Sequence, residues 1–387
     1  MEENFKMVAK TFYGFEQVLV KELLFLGAQH VKAGNRMVSF IGDLGFMYKA
    51  NLCLRTALKI LKPIHTAKVE DEEALYKLFY DFAWEDYLDV DSKFVVDSIV
   101  HGTIFTHSQF VSQKAKDGLV DQFRDRHSVR PNVDLNRPDL RINIHIQEDL
   151  CTISLDSSGA SLHHRGYRTA TNKAPLNEVL AAGLIQLSGW KGNTDFLDPM
   201  CGSGTLVIEA AMFAFNIPAN INRKIFAFEK WTDWDADLFE KIQVSQLKKV
   251  KNPSIQIYGS DKAPSAIEKT LINVENATLS DFVKIEKKDF FQLKKKISGP
   301  LHILTNPPYG QRLEGEINLL YRGIGDAFKQ NFPNTHAWII SSNMDAIKCI
   351  GLRPSRKIKL FNGKLESKLL YYPIYEGTKR IHKLNKD

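Results

Sequence analysis

Hydrophobic positions in the first 65 residues alternate between strand spacing and helix spacing. Residues 5–11 are a candidate for a short strand. Apolar residues then recur at helical intervals from Gly14, and Gly27 provides a stop signal. Strands at residues 36–41 and 56–61 flank a helical pattern at residues 44–52. We therefore predict a small α/β unit over residues 1–65.

A second unit with longer elements follows at residues 66–160. Its pattern predicts helices at residues 72–82 and 107–126, with a strand at 93–100 between them. Ile142, Ile144 and Ile146 share one face of a later strand, because successive side chains of a strand point to opposite sides. We expect this strand to pair with residues 151–155.

The pattern changes near residue 160. Residues 157–175, SSGASLHHRGYRTATNKAP, are small, polar and rich in turn formers, as is typical of a connection between domains. In the region from 161 to 387, short apolar strands then alternate with helices. The predicted strands are 196–197, 255–258, 283–285, 301–304 and 337–341, and the helices are 205–215, 264–277 and 319–330. This alternation predicts a mostly parallel sheet covered by helices.

Composition narrows the class of protein. The chain has 387 residues and a formal charge of +7, but residues 1–160 carry a net charge of −4 and residues 161–387 one of +11. A basic domain suits a polyanionic partner such as nucleic acid, and it is equally compatible with a merely soluble surface. Four scattered cysteines, no membrane-length apolar run and an acidic start without a secretory pattern lead us to expect a cytoplasmic protein without disulfides or a metal site.

The stretch FLDPMCGSGT, residues 196–205, resembles a ligand-binding turn between a strand and a helix. Gly202 and Gly204 let the backbone approach a ligand closely. The dinucleotide fingerprint GxGxxG does not fit, and Asp198 would repel a pyrophosphate. A carboxylate beside the turn would instead attract the ammonium of an amino-acid group, which points to S-adenosylmethionine.

Two later strand ends carry further acidic residues. Asp261 can accept hydrogen bonds from ribose hydroxyls, although it lies 63 residues beyond Asp198 and could simply cap the next helix. Asp289 could bind an adenine amino group, with Phe290 stacking on the ring. Taken singly, these positions are ambiguous; their order at successive strand ends favours one site.

The stretch TNPPYG, residues 305–310, supplies groups suited to an exocyclic amine. The side-chain oxygen of Asn306 and the carbonyl of Pro307 can each accept an N–H bond, and the fixed φ angles of Pro307 and Pro308 make the segment rigid. Tyr309 offers a ring on which a splayed-out base can stack. Two acceptors would orient a poorly nucleophilic amine for attack on a methyl sulfonium.

FLDPMCGSGT followed by NPPYGQRL resembles the THUMP-domain RNA methyltransferases, also labelled N6-adenine-specific DNA methylases. Residues 130–146, 155–168 and 174–190 are similar to the same family. The resemblance covers nearly the whole chain and implies an α/β fold. Its Rossmann-like methyltransferase domain, residues 161–387 with a mostly parallel sheet, follows an α+β region made of a ferredoxin-like unit, 1–65, and a THUMP domain, 66–160.

This resemblance also implies functional residues. Asn306, Pro307, Pro308 and Tyr309 would hold the target base. S-adenosylmethionine, which leaves as S-adenosylhomocysteine, would be bound by Pro175, Asp198, Pro199, Cys201, Gly202, Gly204, Thr205, Asp261, Asp289, Phe290 and Asn306. Since residues 1–160 are acidic overall, we expect the RNA to lie mainly on the basic catalytic domain, and the THUMP region to contribute a local patch consisting of Arg124, Arg126, Arg130 and Arg137. His163 and His164 are not expected to bind metal, because neighbours on an extended chain point apart.

The expected substrate is guanine N2 in 23S rRNA, by resemblance to bacterial members of the family. Alternatives are guanine N2 in tRNA, and adenine N6 in RNA or DNA, because the NPPY segment suits any exocyclic amine. The expected RNA-binding region at the N-terminus argues against a protein glutamine methyltransferase. A vestigial enzyme acting as an RNA-binding assembly protein remains the non-enzymatic alternative. The oligomeric state cannot be inferred from the sequence.

Overall fold

A computed structural model describes residues 3–171, 175–295, 299–308 and 314–376 of the chain. The N-terminal unit contains β1 (Phe5–Lys10), α1 (Glu16–Leu26), β2 (Gln29–Gly34), β3 (Met37–Gly42), α2 (Leu44–Cys53) and β4 (Lys59–Lys68). Its predicted strands and helices are present, but β2 was not predicted. Almost all residues of β2 are solvent-exposed, so its sequence shows no alternation of apolar and polar positions.

The second unit continues the same sheet. It contains α3 (Glu72–Asp81), β5 (Lys93–His101), α4 (Ser108–His127), β6 (Asn132–Val133), β7 (Leu140–Gln147) and β8 (Leu150–Asp156). Within the described residues the eight strands have the order β2-β3-β1-β4-β8-β7-β5-β6. Antiparallel pairing of β4 with β8 joins the two units, and residues 65 and 66, where we expected a boundary, lie inside β4.

The described residues of the C-terminal part form a separate seven-stranded sheet. Its elements are α5 (Glu178–Leu187), β9 (Asp195–Asp198), α6 (Thr205–Ala214), α7 (Ala236–Leu247), β10 (Ile257–Asp261), α8 (Pro264–Asn276), β11 (Val283–Lys287), β12 (Leu301–Thr305), α9 (Glu314–Asn331), β13 (Thr335–Ser341), α10 (Met344–Cys349), β14 (Arg356–Asn362) and β15 (Leu365–Ile374). The strand order is β11-β10-β9-β12-β13-β15-β14. Strands β9 to β13 are parallel and β15 is antiparallel to both of its neighbours, which confirms the expected mostly parallel sheet.

The segment between α6 and β10 joins the two sheets through aromatic packing against α2. Tyr48 of α2 stacks on Phe228 at a ring distance of 4.5 Å, and Trp234 and Phe239 complete the cluster. Phe228 is fully buried. This packing accounts for the 63 residues between Asp198 and Asp261, because the inserted chain serves the interface between the sheets.

The connection near residue 160 is also firmly packed. Arg165 is buried, forms an ion pair with Glu209 of α6 at 3.4 Å and donates to the carbonyl of Arg55. The rings of His163 and His164 lie 3.9 Å apart, so the expectation that they point in opposite directions is wrong. They lie in a turn rather than in extended chain.

Candidate active site

The candidate residues meet at the carboxyl edge of the parallel strands. Asp198 ends β9, Asp261 ends β10, Asp289 follows β11 and Asn306 follows β12. The chain runs outward from β9 to β11 and then returns to β12 on the other side of β9. Ligands of open α/β sheets bind where the strand order reverses in this way. Asp198 and Asn306 flank that point.

The turn between β9 and α6 is shaped by two glycines. Gly202 and Gly204 have φ angles of 58° and 86°, in the left-handed region that glycine adopts without strain. A Cβ on Gly204 would lie 2.7 Å from Cγ2 of Thr270 on α8. The Gly202 N–H donates to Oδ2 of Asp261 at 3.1 Å, so the turn is held against the end of β10.

Asp198 is a buried carboxylate. Only 2% of it is exposed, and its Oδ1 accepts hydrogen bonds from the Thr305 hydroxyl at 2.8 Å and from the Met200 N–H at 3.2 Å. Burial raises the pKa of Asp198 to about 7, and the charge of Asp261 adds to this rise. An ammonium group placed beside Asp198 would relieve this cost by favouring the charged carboxylate.

The other two acidic positions are anchored to the backbone. Asp261 accepts from the N–H groups of Gly202 and Ala263, at 3.1 and 2.9 Å. Asp289 accepts from the N–H of Phe291 at 3.1 Å, at the start of a 3₁₀ turn. Each carboxylate oxygen can accept a second bond, so these contacts fix the orientation of the carboxylates and leave acceptor capacity.

Phe290 lies mainly in the core and only partly at the cleft. It is 3% exposed, and its ring contacts those of Phe328 and Phe332 at 5.7 and 5.6 Å. Its neighbour Phe291 is 42% exposed and also lines the cleft. The sequence gives no periodic signal that separates the two rings, and Phe291 was not predicted.

Asn306 has an unsatisfied side chain. Its Oδ1 is buried and has no hydrogen-bond partner within the part of the chain that the structure describes. A buried acceptor without a partner is costly, and such groups in native proteins call for a specific explanation. Pro307 is buried and Pro308 is exposed. Tyr309 lies outside the described residues.

A cleft of about 340 Å³ unites most of the predicted positions. Its lining includes Pro175, Asp198, Pro199, Cys201, Gly202, Thr205, Asp261, Asp289, Phe290, Asn306 and Pro308. Gly204 and Pro307 are not among the lining residues, although both adjoin them. Lining residues that were not predicted are Leu176, Met200, Ser203, Leu206, Lys262, Ala263, Phe291 and Leu320. Most of these are neighbours in sequence of predicted positions, which is the only signal that could have identified them.

The cleft fits S-adenosylmethionine in its chemistry. It combines a side-chain-free turn at Gly202 with two carboxylates at Asp198 and Asp261. Its volume falls within the usual range for small-molecule sites, about 300–1,000 Å³. Within the described ranges no group of three or more His, Cys, Asp or Glu side chains is placed to hold a metal ion.

The four arginines of the predicted RNA patch differ in their partners. Arg124 pairs with Asp121 and Arg126 pairs with Glu85, both at 3.1 Å. Arg130 and Arg137 are exposed and form no ion pair with any described residue. In the described parts of the chain no helix is both long enough and apolar enough to cross a membrane.

Family models match three successive regions of the chain. A ferredoxin-like domain model matches residues 6–61, a THUMP domain model matches residues 69–156, and an RMKL-like methyltransferase domain model matches residues 165–370. These matches confirm the expected order of domain types: ferredoxin-like, THUMP and methyltransferase.

Two curated relatives illustrate the similarity. A candidate RNA methyltransferase of Synechocystis sp. is 35% identical over 365 residues, which are 94% of this chain and 95% of that protein. Ribosomal RNA large subunit methyltransferase K/L of Cellvibrio japonicus is 36% identical over 380 residues, covering 93% of this chain and 50% of the relative. The chain thus spans about half the length of the K/L relatives.

Solved structures agree with the fold. SMU.472, a candidate methyltransferase solved in complex with SAH, superposes with a TM-score of 0.86 and 29% identity over 98% of this chain and all of that one. A Listeria monocytogenes protein, predicted to be an N6-adenine-specific DNA methylase, superposes with a TM-score of 0.85 and 28% identity over 97% of both chains. The methyltransferase domain model matches more than half of this chain, and the chain covers almost all of the Synechocystis relative. The chain therefore belongs to the RMKL-like methyltransferase family.

Proposed function

We propose that this protein transfers a methyl group from S-adenosylmethionine to N2 of a guanine in 23S ribosomal RNA, and that it acts in the cytoplasm without a metal ion. The observation that carries the proposal is the buried Oδ1 of Asn306 at the sheet edge, which has no hydrogen-bond partner among the described residues. An amine that donates an N–H to this oxygen would supply the missing hydrogen bond.

The proposed cofactor site is the cleft beside the glycine turn. Asp198 would pair with the ammonium of the amino-acid group, Asp261 would accept from the ribose hydroxyls, and Asp289 would accept from the adenine amino group. When bound, S-adenosylmethionine supplies a methyl group that is activated by its attachment to a positively charged sulfur.

Asn306 and the Pro307 carbonyl would bind the two N–H groups of the target amine. The lone pair of that amine is delocalised into the base, so the nitrogen is a weak nucleophile. Two fixed acceptors orient it and become stronger partners as positive charge develops on nitrogen during attack. As the new N–C bond forms, the bond between the methyl carbon and sulfur breaks, and the amine releases one proton to water.

The choice of RNA rests on the THUMP domain and the relatives. The Synechocystis relative is named as an RNA methyltransferase, and the K/L relatives are named for large-subunit ribosomal RNA. The Listeria protein motivates the rival, adenine N6 in DNA. Both bases present an exocyclic amine to Asn306, so the nucleic acid and the base have to be determined by experiment.

A labelled-methyl transfer assay tests this function. The purified protein is incubated with labelled S-adenosylmethionine and with rRNA, tRNA or DNA from a strain that lacks the gene, and the labelled nucleoside is identified. N2-methylguanosine in large-subunit RNA is the expected product. Label only in N6-methyladenine would overturn the base assignment, N2-methylguanosine only in tRNA would overturn the RNA assignment, and absence of label would favour a non-catalytic RNA-binding protein.

The Asn306→Ala variant tests the role of the amide. We expect transfer to fall by about 100-fold or more, since a transition-state hydrogen bond is lost, while S-adenosylhomocysteine binding changes little. Asn306→Asp retains an acceptor oxygen and should therefore keep more activity than the alanine variant. Near-normal transfer by Asn306→Ala would show that another group binds the amine.

A further inference from the structure

The chain that leaves the THUMP region passes close to the glycine turn and is bonded to α8. The N–H groups of Thr169 and Ala170 donate to Oδ1 of Asn273, at 3.1 and 3.2 Å. The Nδ2 group of Asn273 donates to the carbonyls of Ala170 and Ser203, at 2.8 and 2.9 Å. Ser203 belongs to the glycine turn, so one side chain joins the connecting segment to the turn.

This amide uses its full hydrogen-bonding capacity. A carboxamide oxygen accepts two bonds and its nitrogen donates two, and Asn273 makes all four. Asn273 is fully buried. An amide in this position is therefore fixed in orientation, and its removal leaves four backbone groups without these partners.

Two neighbouring contacts hold the same turn. Thr270, one helical turn before Asn273, donates its hydroxyl to the carbonyl of Gly202 at 2.9 Å. Arg168 of the connecting segment donates to the Thr205 hydroxyl at 2.7 Å and to the Leu176 carbonyl at 2.8 Å. The connecting segment thus reaches the first residue of α6 directly, at Thr205, and reaches the turn through Asn273, at Ser203.

We propose that Asn273 is a positioning residue for the cofactor site, which holds the glycine turn in its binding geometry against the segment that leaves the THUMP region. Asn273 is not among the residues that line the cleft. It acts through the Ser203 carbonyl, so it sets cofactor affinity and has little influence on the chemical step. This inference rests on the proposed cofactor, and it is independent of the RNA and the base.

The chain offers a matched control on the same helix. Asn276 lies three residues further along α8 and is exposed. Its Nδ2 donates to the Tyr167 carbonyl at 3.1 Å and to the Thr169 hydroxyl at 2.8 Å. Within the described chain it makes no hydrogen bond to the glycine turn. Asn276→Ala therefore loosens the connecting segment without removing a bond to Ser203.

Calorimetric titration with S-adenosylhomocysteine tests the proposal. We expect Asn273→Ala to bind about tenfold more weakly than wild type, equivalent to about 1.4 kcal/mol, and Asn276→Ala to bind within about twofold of it. Asn273→Asp keeps both accepted bonds and loses the two donated ones, so it should also bind weakly. If the alanine variant does not fold, this variant provides the test.

A kinetic comparison separates positioning from general destabilisation. With saturating RNA, KM for S-adenosylmethionine should rise in Asn273→Asp while kcat stays within a few-fold of wild type. Wild-type affinity in both Asn273 variants, an equal loss in Asn276→Ala, or a wild-type protein that does not bind S-adenosylhomocysteine would overturn the proposal. A wild-type protein that binds it but methylates no RNA would refute the proposed function alone.

Discussion

Replacing Asp198 with asparagine should stabilise the ligand-free protein in a strongly pH-dependent way. Burial raises the pKa of Asp198 to about 7, whereas the usual value is 3.8. Because the folded pKa is the higher one, the folded state binds more protons than the unfolded state between pH 4 and 7. The carboxyl therefore costs stability as the pH rises through this window.

The size of the effect follows from these two pKa values. At pH 8 the charged carboxylate costs the folded protein about 4 kcal/mol, and at pH 5 the cost is about 2 kcal/mol. An asparagine can still accept the bonds from the Thr305 hydroxyl and the Met200 N–H. The stability difference between Asp198→Asn and wild type should therefore grow by about 2–3 kcal/mol from pH 5 to pH 8.

Urea denaturation of both ligand-free proteins at pH 5 and pH 8 measures this difference. The same variant should bind S-adenosylhomocysteine more weakly at pH 8, since an amide does not attract the ammonium as a carboxylate does. A gain in stability that is equal at the two pH values, or larger at pH 5, would refute the assignment of Asp198 as a buried carboxylate with a raised pKa.

Two further substitutions test the scaffold. Gly204→Ala should lower the melting temperature more than Gly189→Ala does. Both glycines have left-handed φ angles, but an added Cβ would contact Thr270 only at position 204, whereas Gly189 has open space around it. Equal shifts in melting temperature would show that the contact with Thr270 is unimportant. Phe228→Ala should lower the free energy of unfolding, measured by denaturation, by about 3–5 kcal/mol, because it leaves a cavity beside Tyr48. Limited proteolysis should then cut residues 227–247 faster than in wild type. Unchanged cleavage would contradict the role of the insertion in joining the two sheets.

The elements with a regular hydrophobic period were predictable from the sequence, and those defined by distant pairing were not. In β7, Ile142, Ile144 and Ile146 lie buried on one face, as their alternation indicated. Nothing local in β4 or β8 shows that these strands pair and merge two units into one sheet. The packing of Phe228 on Tyr48 joins residues 180 positions apart, and the sequence carries no local signal of it.

The candidate site was more predictable than the architecture, because its residues sit in short motifs at strand ends. Asp198, Asp261, Asp289 and Asn306 converge as the parallel topology required. The residues that hold the glycine turn of this site in place could not be predicted. The four bonds of Asn273 depend on where a connecting segment crosses a helix, and a lone asparagine in a helical pattern gives no indication of them.

The ion pairs of the THUMP region sharpen the interpretation of its charge. Arg124 and Arg126 are already paired with acidic neighbours, so binding a phosphate would require them to exchange one anionic partner for another. Arg130 and Arg137 form no ion pair with a described residue and can gain a phosphate contact without that exchange. The two exposed, unpaired arginines should therefore contribute more to RNA affinity, and more to its salt dependence, than the two paired ones. An acidic domain can bind RNA in this way, because its cations act locally and salt screens its net charge beyond about 8 Å.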